Sequence, residues 1–304
     1  MAEISSSPPR LWDRALVLRL ATAAVLLPVA VYAVYALSVK GFLIAWGAVI
    51  LLAAWEWSAL AGLQSLGGRI GFVLALLAAQ FLAWYWPKLV HYLVDLTHFE
   101  ELSVLVMWGL DYVVFPAVLA WLGLGLALRT WPDKLAARPW SKTAKILVAW
   151  LVLFSAWLMM VRLRANFGHA SVLYLLFLIW IADTSAFFAG KKWGRTKLAP
   201  AISPGKTLEG VYGAMLACGL YTASIGYFVE LSPKLILDFV ILALIAVLVS
   251  ICGDLLVSLY KRWAGVKDSG KLLPGHGGIL DRIDSLLAAC VVLYAGFLGR
   301  EMFW

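Results

Sequence analysis

Charge is what this sequence has least of. Only 14% of its 304 residues are Asp, Glu, Lys or Arg, against about 25% in a soluble domain. Hydrophobic residues make up 63%, and the mean hydropathy is +0.91. Even a large soluble domain must coat itself with polar surface, so this balance excludes an ordinary soluble enzyme and a disordered regulator. Cysteine is scarce too. Cys218, Cys252 and Cys290 each lie inside an apolar run, an odd count without metal-ligand spacing, which excludes a disulfide framework or a zinc site. They read as small core residues. No hydrophilic stretch is long enough to hold a separate soluble domain, and no repeat of fixed period or low-complexity tract occurs. Acidic residues number 17 against 25 basic ones, for a net charge of +8. The basic residues are divided among short loops and make no continuous groove. Nucleic acid is therefore not an expected partner, and membrane topology with anionic substrates is.

What remains is an all-α, polytopic helical membrane protein. Apolar runs near the ~20 residues needed to cross a bilayer fall at about 15–37, 41–63, 70–87, 102–128, 146–164, 170–190, 208–230, 235–257 and 285–303, giving about nine transmembrane helices. Asp111 and Pro116 in the fourth run mark a kink or a lumen-facing patch. The polar first residues precede a full-length apolar run without a small-residue cleavage site, so the first span is expected to be retained. With the N-terminus in the cytoplasm, 19 Lys and Arg fall on the inner side and 6 on the outer side, as the positive-inside rule requires. The chain reads as one integral membrane domain, 1–304. Within it, 1–165 supplies helices without an assigned role, and 166–304 carries the polar, chemistry-bearing segments.

Two inner segments are too rich in charge, glycine and proline to be connectors. The first contains Asp183 and the run Ser203-Pro-Gly-Lys206-Thr207-Leu-Glu209-Gly210. It lacks the leading glycine of a P-loop and no strand is expected before it, yet its lysine and hydroxyls can hold phosphate. The same run also reads as a helix entry, with Ser or Thr as the cap and Glu209 in the first turn. In the second segment, Ser258, Lys261 and Arg262 follow Asp254 at i+4, i+7 and i+8, which places a carboxylate, a hydroxyl and two cations on one helical stripe. A solvated helix end is the alternative for that stripe. Next come Lys267, Asp268 and a glycine-rich loop with His276, Gly277 and Gly278, then Asp281-Arg282-Ile-Asp284-Ser285 at a helix start. Paired carboxylates beside phosphate-binding cations are what a magnesium–nucleotide site needs. An ionisable group in a span is a functional candidate by default.

The stretch Ser258-Leu-Tyr-Lys261-Arg262, then Lys267-Asp268, then Leu273-Pro274-Gly-His276-Gly277-Gly278-Ile-Leu-Asp281-Arg282-Ile-Asp284 resembles the signature of the phosphatidate cytidylyltransferases. The Asp183-Thr-x-Ala-Phe-x-x-Gly190 and Ser203-Pro-x-Lys206-Thr207-x-Glu209-Gly210 segments are similar to the same family. The resemblance covers roughly 170–304, and extends in the N-terminal half only to hydropathy and Trp55-Glu56-Trp57. Tyr260 and Val257 depart from the usual signature. What the resemblance implies is transfer of CMP from CTP to phosphatidate with release of pyrophosphate, a step of phospholipid biosynthesis, at the cytoplasmic face; a small nine-span chain with short loops fits a bacterial inner membrane better than an organelle. The resemblance also implies Mg²⁺, assisted by K⁺, near Asp254 and Asp281, and a homodimer.

On this reading Asp254, Asp281 and Asp284 bind metal, while Lys206, Lys261, Arg262 and Arg282 hold phosphates of CTP or phosphatidate. Ser203, Thr207, Ser258, Lys267, His276, Gly277, Gly278 and Asp183 contact substrate or support the site. Glu56 either lines the cavity or sits among interfacial aromatics. A related transferase using another nucleotide or lipid acceptor is the competing enzyme class. A transporter would require broken helices in two repeats, and a scaffold would leave the polar cluster of 254–284 without a purpose.

Overall fold

The computed structural model describes residues 14–98, 109–272 and 277–303; His276 therefore lies outside the described residues. Helix α1 (Arg14–Ala36) leads through Ser38, whose hydroxyl accepts the Gly41 amide as an N-cap, into α2 (Val39–Leu60). Ser65 caps α3 (Leu66–Thr97) in the same way, and α3 continues ten residues beyond Pro87. A 3₁₀ turn at Asp111–Val113 opens α4 (Val114–Thr130). Pro116 falls in the first turn of α4, where a missing N–H costs nothing. The short α5 (Pro132–Ala137) precedes α6 (Lys142–Trp193), and α7 (Leu208–Phe228), α8 (Pro233–Trp263) and α9 (Leu280–Phe303) complete the helices.

Seven helices among the described residues are long and apolar enough to cross a membrane, so the polytopic all-α architecture is as expected. One of the seven is α6, which has 52 residues. A straight helix of that length would run ~78 Å, more than twice the ~30 Å hydrocarbon core. It is not straight. Gly168 has φ 79° and ψ −177°, a conformation that only glycine adopts readily, and it breaks α6 where the sequence places the gap between two spans. The first half begins beside Tyr260, whose hydroxyl donates to the Lys145 carbonyl at 2.8 Å. It ends near Tyr294, whose hydroxyl accepts from Asn166 at 3.0 Å. The second half brings Asp183 back to a cavity shared with Asp254.

Helix α9 is the axis of the bundle. Residues 287–294 are all buried, so this helix is covered on every side, as an interior helix must be. The outer helices expose apolar rows instead, such as Leu74, Leu77 and Phe81 on α3 or Tyr212, Leu216 and Leu220 on α7. In lipid these rows cost nothing. One apolar cluster runs from Val34 to Leu298 and joins the N-terminal helices to the C-terminal ones. Cys218 and Cys290 are buried and Cys252 is half-buried, and all three are free thiols.

One element departs from the all-α expectation. Strands β1 (Lys197–Ala199) and β2 (Ser203–Thr207) pair antiparallel, with Lys197 opposite Thr207 and Ala199 opposite Ser203. The segment expected as a loop or helix entry is thus a two-stranded ribbon, and its last residue, Thr207, also caps α7 by accepting the Gly210 amide. Two strands alone are marginal in water. Arg262 supports this pair, its Nε donating to the Ile202 carbonyl at the bend.

Candidate active site

Residues from the ends of α6, α8 and α9 and from the β1–β2 ribbon enclose a cavity of about 530 Å³, within the range of small-molecule sites. Asp183 comes from α6, Ser203, Lys206 and Thr207 from the ribbon, and Asp254 and Lys261 from α8. Asp268 comes from the loop after α8, and Asp281, Arg282 and Asp284 from the first turns of α9. The aspartates of the last two helices therefore face one space. The helices meet so closely that a Cβ at Gly253 would strike the carbonyl oxygen of Asp284. Glycine at that position is what lets Asp254 stand next to the start of α9.

Each of two aspartates holds a lysine. Lys206 Nζ is 2.6 Å from Asp254 Oδ2, and Ser258 donates to Asp254 Oδ1 at 3.1 Å. Lys261 Nζ is 2.7 Å from Asp281 Oδ1. The other oxygen of Asp281, Oδ2, accepts the backbone amides of Ser269 at 2.8 Å and Gly278 at 3.1 Å. Asp284 Oδ1 accepts the amide of its own neighbour Ser285. Among the described residues around the cavity, five carboxylates (Asp183, Asp254, Asp268, Asp281, Asp284) face three cations (Lys206, Lys261, Arg282).

This imbalance tests the fit to a metal. Acidic side chains outnumber basic ones by two around this cavity, and a lining of that kind accepts a polyphosphate more readily when a cation enters with it. Among the described residues no three metal-ligating side chains form a ready cluster, but Mg²⁺ characteristically takes one or two carboxylates and completes its shell with water and phosphate oxygens. Asp254, Asp281 and Asp284 are hard oxygen donors, and one or two of them would suffice for such a shell.

Other expected residues stand apart from the cavity. Arg262, expected on phosphate, instead ties down the ribbon through Ile202. Helical geometry explains the difference: seven residues from Asp254 bring Lys261 within about 20° of it, whereas eight carry Arg262 about 80° away. Ser258 orients Asp254 from behind. Lys267 is exposed and does not line the cavity, and the hydroxyl of Thr207, although at its edge, is spent on the α7 cap. Gly277 and Gly278 support the site from beneath, Gly278 by its amide to Asp281. Glu56 is buried and accepts the amides of Ile279 and Leu280, so it is neither an interfacial residue nor a cavity-lining one. Sequence reasoning missed Ser269 altogether, and it quoted Asp268 without giving it a role.

A model of the cytidylyltransferase family matches residues 17–298. The chain belongs to this family. The match includes the N-terminal helices, which hydropathy and the Trp55-Glu56-Trp57 stretch alone only suggested. The chain is 36% identical over 279 residues to the phosphatidate cytidylyltransferase of Pseudomonas aeruginosa, covering 91% of this chain and 95% of that protein. It is also 36% identical over 288 residues to that of Haemophilus influenzae, covering 89% and 94%. Against the phosphatidate cytidylyltransferase of Thermotoga maritima the identity rises to 44%, but over 136 residues, 43% of this chain and 50% of that one. A cytidylyltransferase is a nucleotidyltransferase.

Proposed function

We propose that the protein transfers CMP from CTP to phosphatidate, giving CDP-diacylglycerol and pyrophosphate. The observation that carries this reading is a cavity in which, among the described residues, five carboxylates and three cations from three helices, a loop and a ribbon converge. The full-length relatives named for this activity support the choice of substrates. A phosphatidate oxygen attacks the α-phosphorus of CTP and the bond to the β-phosphate bridging oxygen breaks. The attacking oxygen is already ionised, so no general base is needed. Catalysis then rests on aligning two polyanions and offsetting their charge.

The chain's own residues divide this work. Lys206 and Lys261, held in the free protein by Asp254 and Asp281, turn to phosphate oxygens when substrate is present, and Arg282 adds a third cation at the start of α9. Ser203 and the ribbon backbone offer further donors to phosphate. Asp254, Asp281 and Asp284 would hold Mg²⁺, with Asp183 opposite them, and the same oxygen-rich set would hold the K⁺ that the resemblance implies. Held by these carboxylates, the cation would supply neutralisation of phosphate charge. Nine crossings with the N-terminus in the cytoplasm would place the cavity at the inner surface of a bacterial cytoplasmic membrane, where CTP is available. The lipid reaches it from the bilayer plane. The homodimer implied by the resemblance belongs to the same reading.

The test is a radiolabelled-CTP assay of purified protein with phosphatidate, run with and without Mg²⁺ and against other nucleotides and lipid phosphates. The expected outcome is labelled lipid only with CTP, phosphatidate and Mg²⁺ together. Preference for another nucleotide or a polyprenyl phosphate would replace this reading with the related transferase class.

A further inference from the structure

Glu56 sits on α2, in the half of the chain to which no chemistry was assigned, and yet its carboxylate ends among the residues that build the site. It is only 6% exposed. Oε1 accepts the Ile279 amide at 3.1 Å and Oε2 accepts the Leu280 amide at 2.9 Å, so the carboxylate caps the N-terminus of α9 from a different helix. An anion there also complements the helix dipole. The Ser269 hydroxyl lies 2.8 Å from Glu56 Oε2 and 3.0 Å from Asp281 Oδ2, linking the two carboxylates through the loop that follows α8. The fit leaves no slack, since a Cβ at Gly278 or at Gly270 would collide with the Glu56 side chain. Glu56 is itself held from the far side, because its neighbours Trp55 and Ser58 are fastened by Arg69, which donates to the Trp55 carbonyl and the Ser58 hydroxyl.

We infer that Glu56 is a positioning residue for the transfer reaction: it fixes the start of α9 and, through Ser269, the rotamer of Asp281. Asp281 Oδ2 is thereby committed to the loop amides, and Oδ1 is the oxygen left to a cation. A buried carboxylate in a span is costly, and here it is offset by two backbone donors and a hydroxyl. This inference rests on the function proposed above only in its kinetic arm; its structural arm stands without any substrate.

The experiment compares the full-length wild-type protein in detergent with Glu56→Gln, Glu56→Ala and Ser269→Ala. Gln keeps the shape but presents an NH₂ where the Leu280 amide needs an acceptor. Hydrogen–deuterium exchange should quicken at 279–282 in both Glu56 variants while exchange in α7 and in the outer turns of α9 stays as in wild type. A misplacement of ~1 Å at reacting groups costs about 100-fold, so kcat should fall by about that factor in Glu56→Ala, by less in Glu56→Gln and least in Ser269→Ala, with KM for CTP changing much less than kcat. Wild-type turnover in Glu56→Gln would overturn the inference, and so would a lost kcat without faster exchange at 279–282. A variant that fails to fold shows faster exchange throughout, and Ser269→Ala, which removes only a hydroxyl, then decides by the same two readouts. An inactive wild type would count against the proposed substrates, with the exchange arm still deciding whether Glu56 holds α9.

Discussion

Two polar clusters hang on the same buried helix, one at each end of α9. At the end that is the outer one in the proposed orientation, Tyr294 donates to Asp111, which also meets Arg162 Nε at 3.3 Å, and Asn166 donates to Tyr294. Asp111 is 3% exposed, and one guanidinium matches its one charge. At the other end, ~20 Å along the helix, Asp281, Arg282 and Asp284 open onto a cavity of about 530 Å³ with two carboxylates in excess. Buried polarity is common to both ends and therefore does not mark function. Surplus charge around a void does. In the outer cluster the carboxylate has its own guanidinium and hydroxyl partners, which is how a structural ion pair survives in a low-dielectric interior; on the function proposed above, the inner one takes a cation and an anion from outside.

The comparison is broken most forcefully at the inner end. Asp254→Asn removes a proposed cation ligand and the partner of Lys206, and should lower turnover by about 1,000-fold, while gel filtration and melting of the purified protein stay near wild type. If it destabilises the fold and leaves turnover per folded molecule intact, the two ends have been assigned the wrong way round. The outer end predicts the reverse. Asp111→Ala strands Arg162 among apolar helices, a loss of about 3–5 kcal/mol in stability, visible as a lower Tm in detergent, with turnover per folded molecule unchanged.

Smaller effects sharpen the contrast. Ser258→Ala removes one hydrogen bond to Asp254, about 1 kcal/mol, so kcat should fall roughly fivefold without a change in Tm. Arg262→Ala frees the β1–β2 bend at Ile202 and should raise the KM for CTP less than tenfold, by loosening Lys206 through one backbone bond of about 1 kcal/mol. A loss as large as that of Lys261→Ala would restore Arg262 to direct phosphate contact.

Much of this arrangement was legible before the coordinates. Apolar runs located the long helices but not the short α5, and the gap between two of the runs anticipated the break at Gly168. The acidic and basic residues of 183–284 pointed to one site because charge in an apolar chain must be compensated locally. Other features were hidden for physical reasons. Arg262 shares its stripe with Asp254 on paper, but the ~80° offset turns it towards the ribbon. The ribbon itself has too few residues and too much Pro and Gly to register as strands. Asp111 looked like a kink marker because its partners, Arg162 and Tyr294, lie on other helices. The role of Glu56 depends on backbone amides 223 and 224 positions away, and amides carry no side-chain signature.

The most direct measurement of the central claim is the transfer of α-phosphate label from CTP to lipid by purified protein in liposomes containing phosphatidate, with pyrophosphate counted alongside. One pyrophosphate per labelled lipid, dependent on Mg²⁺ and lost in Asp254→Asn, is the predicted result. Label transfer that persists undiminished in Asp254→Asn would contradict the account.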